Sequence, residues 1–589
     1  MILKKKNFFF LFLLLLTMTP FLFLHFLRGM VFSSSNNDNG NTHYNNDTQF
    51  ANTNNETDDL YNKVMCGYQG WFGTPGDDLS NDVYWYHWCV KGTEPTPGTI
   101  TIDTWPDYSE YPEELIFYPT NYDWFYPNGE KAGFFSSNLE ETVLLHCKWM
   151  HDYGIDGVFL QRFTNNFNDH RIRIRYGNVL RHMLKGAEQY GLKVVLMYDV
   201  STTNIRNISP LLKEDWKYQV DVMKLPDHPC YQYHRDKNGV RLPVVAVWGL
   251  GFINVGSRGQ ARSVIDFFKH NSNPNYRATL MGGVPAYWRF GTRDAKAEYE
   301  EIFAGFDIIS PWTVGRFRNA GGAETWSRDI ITGDIQLTES RGQHYLPVCF
   351  PGFSNSNLWK NRLSKGETKQ SIGNHFPLSL PLTSTFPGKP LKGELNSIPR
   401  NGGHFMWRQF YHWTKAGAKM LYIAMFDEVD EGTAIFKVAP NAEFLPDPTI
   451  FLSLDRDGYP LKSDHFLWMT GNAGFIIKHN LPFPKKQPTR FSEHSFHANR
   501  VRERAWIVEK HFGKIDITMT DSAVSRMIIY KKENLGGFME LKTLHREDLQ
   551  DNTYTYIDEF IAEDKNYTYI LAAFNADGIP VGFSDRKTI

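Results

Sequence analysis

Short apolar runs alternate with longer amphipathic stretches from residue 63 onward. The runs are rich in Val, Ile, Leu and Met, as in strands buried on both faces. Eight strands are predicted: Lys63–Gly67, Gly157–Leu160, Lys193–Met197, Leu242–Val247, Ala278–Met281, Phe306–Ile309, Tyr345–Phe350 and Met420–Phe426. Helices are predicted between and after them: Leu139–Tyr153, Tyr176–Tyr190, Leu211–Lys224, Gly259–His270, Arg293–Ala304, Thr325–Leu337, Gly403–Ala418 and Ser463–Ile477. This eightfold repeat predicts a (β/α)8 TIM barrel rather than a doubly wound open sheet, and no G-x-G-x-x-G motif follows the first strand.

Two long segments interrupt the repeat. Gly73–Ser137 follows the first strand, and Ser354–Asn401 follows the seventh. Both leave a strand at its carboxyl end, which is the face where loops of such barrels build a site.

After residue 482 the pattern changes to alternation of apolar and polar positions between turn signals. This pattern predicts a C-terminal all-β sandwich-like module. Its predicted strands are Arg504–Glu509, Lys514–Met519, Ser525–Tyr530, Tyr554–Phe560 and Tyr567–Phe574. We therefore divide the chain into a barrel at 61–482 and an accessory β module at 483–589, which either braces the barrel or binds sugars.

The N-terminus carries three lysines, Lys4 to Lys6, before an apolar run that continues to Arg28. The run is longer than a typical signal-peptide core and no clean cleavage motif follows. Residues 1–32 are predicted to be a type II signal anchor, with a cleaved signal peptide as the alternative, and residues 33–60 an Asn/Ser-rich disordered stem. Either reading sends the protein into the secretory pathway, as a Golgi-type membrane protein or a secreted one. N-glycosylation motifs begin at Asn46, Asn55, Asn207 and Asn566.

The amino-acid composition limits the kinds of partner that the protein can bind. Lys plus Arg total 63 and Asp plus Glu total 65, so the net charge of -2 argues against a nucleic-acid partner held by bulk charge. The five cysteines are widely spaced and form no C-x-x-C motif, which excludes a zinc ribbon or a thioredoxin-like site but allows one or two disulfides. No metal or cofactor motif is present.

Aromatic, arginine and acidic residues follow the predicted strands. Because the carboxyl ends of barrel strands meet at one face, these side chains are predicted to line a ligand cavity. Fourteen of the 16 tryptophans fall between Trp71 and Trp413, which favours a surface that stacks on sugar rings. The predicted binding residues are Tyr68, Trp71, His87, Trp88, Arg162, Tyr198, Trp248, Arg289, Trp312, Arg316 and Asp427.

The segment Asp427–Glu431 places four carboxylates in five positions after the eighth strand. Crowded like charges raise some pKa values and separate an acid from a base. If the segment turns helically, Glu428 and Glu431 share a face and supply the two carboxyl groups that glycosidic bond cleavage requires. A solvated acidic loop is the alternative interpretation.

The segment Ala424–Thr433 resembles the F-N-E-W-x-E-G-T signature of the family 99 endo-α-mannosidases, and more closely the glycoside hydrolase 71/99-like proteins. Further stretches resemble the same group: Val64–Phe72, Asp156–Phe163, Pro311–Arg316 and Phe350–Ser354. The resemblance covers residues 60–480, without the stem or the β module.

This resemblance implies a (β/α)8 barrel with a retaining, metal-independent mechanism and a glycan substrate. It implies that Glu431 is the general acid/base, that Glu428 deprotonates the 2-hydroxyl of the sugar to form a 1,2-anhydro sugar, and that Tyr68 is an active-site tyrosine. Eukaryotic members are Golgi type II membrane proteins. Asp427, Val429 and Asp430 depart from the signature at positions that line the pocket, so mannose does not carry over as the substrate.

The leading hypothesis is thus a glycoside hydrolase acting on an oligosaccharide or polysaccharide. A non-catalytic glycan-binding protein on the same barrel is the alternative, and a glycosyltransferase is disfavoured because Asp455-Arg456-Asp457 lies in a predicted turn beyond the barrel. The sequence leaves open the sugar, the linkage and the choice between endo and exo action.

Overall fold

The computed structural model describes residues 59–77, 85–201, 208–364, 394–492, 495–505 and 508–589. Within these ranges no helix is both long and apolar enough to cross a membrane. The predicted anchor and nearly all of the predicted stem lie outside them, so both remain predictions, as do the domain boundaries.

A closed parallel barrel forms the larger part of the fold, as predicted. Its strands are Val64–Tyr68, Gly157–Phe163, Lys193–Asp199, Arg241–Trp248, Thr279–Val284, Ile308–Pro311, His344–Tyr345, Val348–Cys349 and Leu421–Ile423. The seventh barrel strand consists of the two short pieces on either side of Leu346 and Pro347. Leu346 donates its N–H to the carbonyl of Ile309 (2.9 Å), and Tyr422 donates to the carbonyl of Pro347 (3.0 Å). These two bonds join the sixth strand to the eighth through the seventh, which closes the sheet and excludes an open one.

The barrel interior is filled by side chains, as a small barrel requires. Tyr422 on the eighth strand packs against Phe159 on the second, with ring centroids 5.2 Å apart. A Cβ atom added at Gly67 would lie 2.2 Å from the Tyr422 hydroxyl and 2.4 Å from Met425. Glycine at this position of the first strand therefore makes room for the large residues of the eighth.

Helices surround the barrel close to their predicted positions: Glu140–Tyr153, His170–Tyr190, Ile208–Asp221, Arg258–His270, Glu300–Gly305, Ala320–Trp326, Thr332–Ser340, His404–Lys415 and His465–Lys478, with Ser356–Ser364 in the loop after the seventh strand. A π-helical turn, Ser327–Ile331, joins two of them. Short 3-10 turns are Glu113–Leu115, Thr164–Asn166, Leu225–Asp227, Pro274–Tyr276, Ala297–Tyr299, Asn401–Gly403, Ala442–Phe444, Leu454–Asp457 and Arg546–Asp548.

The fifth predicted helix, Arg293–Ala304, starts later than expected. Its first residues form a loop in which the Asp294 carboxylate accepts hydrogen bonds from the backbone N–H groups of Ala286 (2.9 Å) and Tyr287 (3.1 Å). Asp294 is thereby held at the end of the fifth strand, and regular helix resumes only at Glu300.

The C-terminal region contains two sheets built mainly of antiparallel pairs, as predicted, with Thr489–Arg490 and Pro580–Phe583 paired in parallel. One sheet orders its strands as Thr489–Arg490, Pro580–Phe583, Tyr567–Phe574, Arg526–Glu533 and Met539–His545, with Lys587–Thr588 beside Tyr567–Phe574; the other comprises Phe496–Ala505, Val508–Thr518 and Thr553–Asp558. The predicted strand Arg504–Glu509 is wrong, because Ala505 pairs with Val508 and the two belong to different antiparallel strands. Residues 506–507 lie outside the described ranges.

Alternation along Tyr567–Phe574 shows how this region is assembled. Tyr569 and Leu571 belong to the core between the two sheets, whereas Ile570 and Ala572 join the core of the barrel. Phe475 in the last barrel helix packs edge-on against Tyr530, with centroids 4.9 Å apart. One face of the first sheet therefore packs on the barrel and the other on the second sheet.

All five cysteines are buried and none forms a disulfide. The disulfides that the sequence allows are therefore not found.

Candidate active site

The four acidic residues after the eighth strand lie in a closed turn rather than a helix. Thr433 and Ala434 donate their N–H groups to the carbonyl of Glu428 at 3.1 and 2.9 Å. Glu428 and Glu431 are 6% and 4% exposed, and Asp427 is fully buried. A solvated acidic loop is thus excluded, because these carboxyl groups have been removed from bulk water.

The two long insertions meet at this turn. Asp103, from the first insertion, and Thr104 both direct their N–H groups at the carbonyl of Val429, at 3.1 and 3.2 Å. Ser354, after the seventh strand, donates its N–H to the carbonyl of Glu431 (2.9 Å). The backbone of the acidic turn is therefore fixed from two sides, which orders the side chains that project from it.

Asp103 also ties the insertions to each other. Its carboxylate accepts hydrogen bonds from the Ser354 hydroxyl (2.5 Å) and from the N–H groups of Ser356 (2.6 Å) and Asn357 (2.8 Å). Burial raises the pKa of Asp103 to about 6 despite these donors. The residue is remote from the turn in sequence, and nothing in the local pattern of the first insertion singles it out.

Asp427 connects the eighth strand to the first. Its two carboxylate oxygens accept the backbone N–H groups of Gln69 and Gly70, each at 2.8 Å. Burial raises the pKa of Asp427 to about 7, and the two N–H groups offset only part of that effect. We predicted Asp427 as a binding residue, but its oxygens are already used in holding the segment between the first strand and the first insertion.

Glu428 is the residue whose protonation the site perturbs most clearly. Burial, followed by the negative charges of Glu431 and Asp430, raises its pKa well above the ordinary value. The Thr433 hydroxyl donates to Glu428 Oε2 at 3.3 Å. Such a cluster holds a proton on one carboxyl group while another stays ionised, which is the division that acid and base catalysis needs.

Trp71 and His87 extend the site along the first insertion. Their rings stack with centroids 3.8 Å apart and planes within 7° of parallel. His87 Nδ1 lies 3.5 Å from Asp430 Oδ2, while Asp430 Oδ1 is buried without a hydrogen-bond partner. Trp71, His87 and Asp430 therefore form one side of the site next to the acidic turn. Asp430 Oδ1 is the hydrogen-bond acceptor that this side offers to a ligand.

Trp248 and Trp312 lie together at the ends of the fourth and sixth strands. Their rings meet edge to face at 5.3 Å, and each is 6% exposed. The indole N–H of each is buried without an acceptor in the protein. Buried donors are normally paired, so these two N–H groups are available to the oxygen atoms of a ligand.

Arg162 and Tyr198 are brought together by an aspartate that the sequence analysis did not identify. Asp215 accepts from Arg162 Nη2 and from the Tyr198 hydroxyl, both at 2.8 Å. Asp199, which follows Tyr198, is held by Ser201, and burial raises its pKa to about 6. Asp199 is a further acidic group at the strand ends, and its place directly after a predicted strand was the available signal.

The other two predicted arginines are also engaged in ion pairs. Arg316 pairs with Asp294 at 2.6 Å, and Arg289 pairs with Asp334 at 2.7 Å. These contacts fix the loops after the fifth and sixth strands. The structure therefore assigns both arginines a positioning contact within the protein.

Two of the predicted binding residues are fully buried. Trp88 is fully buried and donates its indole N–H to the carbonyl of Phe135 (3.0 Å), so it packs the interior of the first insertion. Tyr68 is also fully buried, and its hydroxyl lies 2.8 Å from His146 Nδ1. Burial lowers the pKa of His146 to about 3, so this histidine is neutral and serves as a hydrogen-bond partner in the core.

Within the described part of the chain, no cluster of three histidine, cysteine, aspartate or glutamate side chains could hold a metal ion. Asp455–Gly458, whose sequence begins like a calcium loop, forms a turn in which Asp457 accepts from Asn396 (2.6 Å) and from the N–H of Asn401 (2.8 Å).

No family model matches this chain, and no curated protein sequence matches it. Solved structures do align with it. The GH99 endo-α-mannosidase of Bacteroides thetaiotaomicron is 15% identical, with a TM-score of 0.46, over 71% of this chain and 98% of its own. The enzyme from the same organism in complex with bis-tris propane is also 15% identical, with a TM-score of 0.46, over 72% of this chain and 98% of its own. GH5_18 from Streptomyces cattleya is 11% identical, with a TM-score of 0.33, over 59% of this chain and 77% of its own. The first two belong to the family that the strand-eight segment resembles.

Proposed function

We propose that this protein is a glycoside hydrolase that cleaves a glycosidic bond with retention, using Glu428 and Glu431. The observation that carries the proposal is the buried acidic turn at the carboxyl end of the eighth strand. There burial, followed by the charges of Glu431 and Asp430, raises the pKa of Glu428, so the neighbouring carboxyl groups of the turn share a proton. Two carboxyl groups, one that can give a proton and one that can take one, are the minimum equipment for this chemistry.

The resemblance of the turn to the family 99 signature gives the roles. Glu431 donates a proton to the leaving glycosidic oxygen. Glu428 removes the proton of the neighbouring 2-hydroxyl, whose oxygen attacks the anomeric carbon to give a 1,2-anhydro sugar. Water, deprotonated by Glu431, then opens this ring at the anomeric carbon, and the 2-oxygen recovers its proton from Glu428. Two displacements at the same carbon give overall retention.

Side chains at the carboxyl ends of the barrel strands suit a carbohydrate. Trp248 and Trp312 present indole N–H groups without acceptors, and Asp430 presents a free acceptor oxygen. A sugar hydroxyl both donates and accepts, so it can satisfy groups of both kinds. Aromatic faces beside such polar groups are typical of sites for ring-shaped ligands.

The test is digestion of a broad glycan panel by the full-length protein and by Glu428→Gln and Glu431→Gln variants. We expect each substitution to abolish turnover while binding persists. Glu443→Gln is the matched control, because Glu443 is exposed in a loop after the barrel strands. NMR of the first product formed reads its anomeric configuration, and inversion would contradict the mechanism.

Full activity in Glu431→Gln would remove Glu431 from the mechanism. Binding of a glycan without cleavage at any pH would instead support the non-catalytic glycan-binding alternative.

We also propose that the protein works in the secretory pathway. The Asn566 side chain is exposed, which suits glycosylation in the lumen. The predicted anchor and stem are the other support for this location.

A further inference from the structure

A cleft of about 830 Å³ lies where the barrel meets the C-terminal strands. The helix Glu140–Tyr153 contributes Lys148 and Asp152, and the β module contributes Lys532, Leu535 and Arg586. No residue of the acidic turn lines this cleft. The residues that line this cleft are therefore separate from the proposed active site.

Every carboxylate that lines the cleft is already paired. Asp152 pairs with Lys148 at 2.5 Å. Asp464 and Asp585 both pair with Arg490, at 2.6 and 2.7 Å. Glu110, the fourth, pairs with Lys437. None of these acids forms an ion pair with two further cations of the lining.

Lys532 and Arg586 are those two cations. Lys532 is only 8% exposed, and its ammonium group lies 5.5 Å from the centre of the Phe538 ring. Arg586 donates one N–H to the carbonyl of Gly471 (3.2 Å), and its Nε is buried without a partner. Neither forms an ion pair with any carboxylate of the described chain.

Two neighbouring like charges that are largely removed from water and form no ion pair are unfavourable. Burial, together with the charges of Arg586 and Lys478, lowers the pKa of Lys532 to about 8. Burial likewise lowers the pKa of Arg586 to about 10. The folded protein therefore carries an electrostatic cost here that a bound anion would relieve.

The rest of the lining suits a ligand rich in hydroxyl groups. It consists largely of amide and hydroxyl side chains: Gln189, Asn534, Asn566, Thr568 and Thr588. Tyr190 adds a half-buried aromatic ring. We propose that this cleft binds an oxyanion, a sulfate or carboxylate, carried on a carbohydrate, with Lys532 and Arg586 as its ligands.

Isothermal titration of the full-length protein tests this proposal, after enzymatic removal of any N-glycan because Asn566 lines the cleft. The titrants are a sulfated oligosaccharide, a hexuronate oligosaccharide, a neutral oligosaccharide and sodium sulfate, at constant ionic strength. We expect an acidic saccharide to bind at least tenfold more tightly than inorganic sulfate, with no binding of the neutral sugar at this cleft. Lys532→Gln should weaken binding of the acidic saccharide at least tenfold.

Lys542→Gln is the matched control. Lys542 is exposed on the neighbouring strand, and its substitution removes the same charge. It should change the affinity less than twofold. Arg586→Lys keeps a charge beside Gly471 and should show an intermediate loss. Binding of sulfate alone that still requires Lys532 would identify a free ion as the source of the anion.

Undiminished binding in Lys532→Gln, or no binding of any acidic titrant, would overturn the proposal. Lys532→Gln should also fold at least as stably as the wild type when no anion is present, because it removes an uncompensated charge.

Discussion

The Asp427 carboxylate accepts the backbone N–H of Gly70 at 2.8 Å, which ties the end of the eighth barrel strand to the segment between the first strand and the first insertion. Gly70 has a φ of 58°, so the chain turns sharply there and presents its N–H toward the acid. A second N–H, from Gln69, completes the pair. This contact sets where the acidic turn sits relative to Trp71.

Asp427→Asn should therefore impair both folding and activity. An amide has one acceptor oxygen, so its NH₂ group would face one of the two N–H donors and leave that donor unsatisfied. We expect a loss of about 1–3 kcal/mol in the free energy of unfolding and a reduced kcat. Denaturant unfolding and steady-state kinetics measure the two effects, with Asp577→Asn, an exposed loop residue, as the control.

Asp430→Asn should shift the pH profile of hydrolysis. Glu428 must be ionised to act as a base, so activity rises as the pH passes through its pKa. The charge of Asp430 raises that pKa, and its removal lowers it. The acidic limb of kcat/KM should move to lower pH by about one unit or less. An unmoved or oppositely shifted limb would contradict the assignment of Glu428 as the base.

Asp103→Asn should change how stability depends on pH. The pKa of Asp103 is about 6 in the folded protein, above its ordinary value of 3.8. Ionisation therefore costs free energy in the folded state, and the cost is complete above pH 6. The wild type should gain up to about 2–3 kcal/mol relative to the variant as the pH falls from 6 to 4. Thermal unfolding of both proteins across this range checks the sign.

Trp312→Phe and Trp88→Phe should separate binding from packing. The indole N–H of Trp312 has no acceptor in the protein, so its loss should raise KM by about tenfold and leave the fold intact. The N–H of Trp88 donates to the carbonyl of Phe135, so Trp88→Phe should lower stability by about 1–3 kcal/mol with KM unchanged. Equal effects of the two substitutions on KM would disprove the assignment of Trp312 as a ligand contact.

Asn566→Gln should remove one N-glycan if the protein is luminal. Expression in secreting cells, followed by enzymatic deglycosylation and gel electrophoresis, measures the change in mobility. An identical mobility of wild type and variant before deglycosylation would leave Asn566 unmodified and weaken the proposed location.

The barrel could be predicted because its strands are buried on both faces, which makes each one a continuous apolar run. The late start of the fifth helix could not be predicted from the sequence. It results from hydrogen bonds that the backbone N–H groups of Ala286 and Tyr287 donate to the Asp294 carboxylate. The predicted strand Arg504–Glu509 failed for a related reason. Alternation continues through a tight connection between antiparallel strands, so the local pattern does not mark where one strand ends.

The acidic turn was found from sequence because four carboxylates in five positions carry their own physical consequence. Their burial, and hence the pKa of Glu428, depended on the two insertions closing over them. Asp103 contacts Ser354, which is 251 positions away in the sequence. No local pattern predicts such a pair.

By itself, the sequence determined the eightfold repeat, the position of Glu428 and Glu431 at the end of the last strand, and the concentration of tryptophan in the barrel. These features are local, because they depend on the period of apolar residues and on charges that are neighbours in the chain. Only the tertiary structure decided that Arg162, Arg289 and Arg316 each pair with an aspartate, that Trp88 is core, and that Lys532 and Arg586 line one cleft without forming an ion pair. Ion pairing and burial depend on which distant segments meet, and that is settled only when the chain has folded.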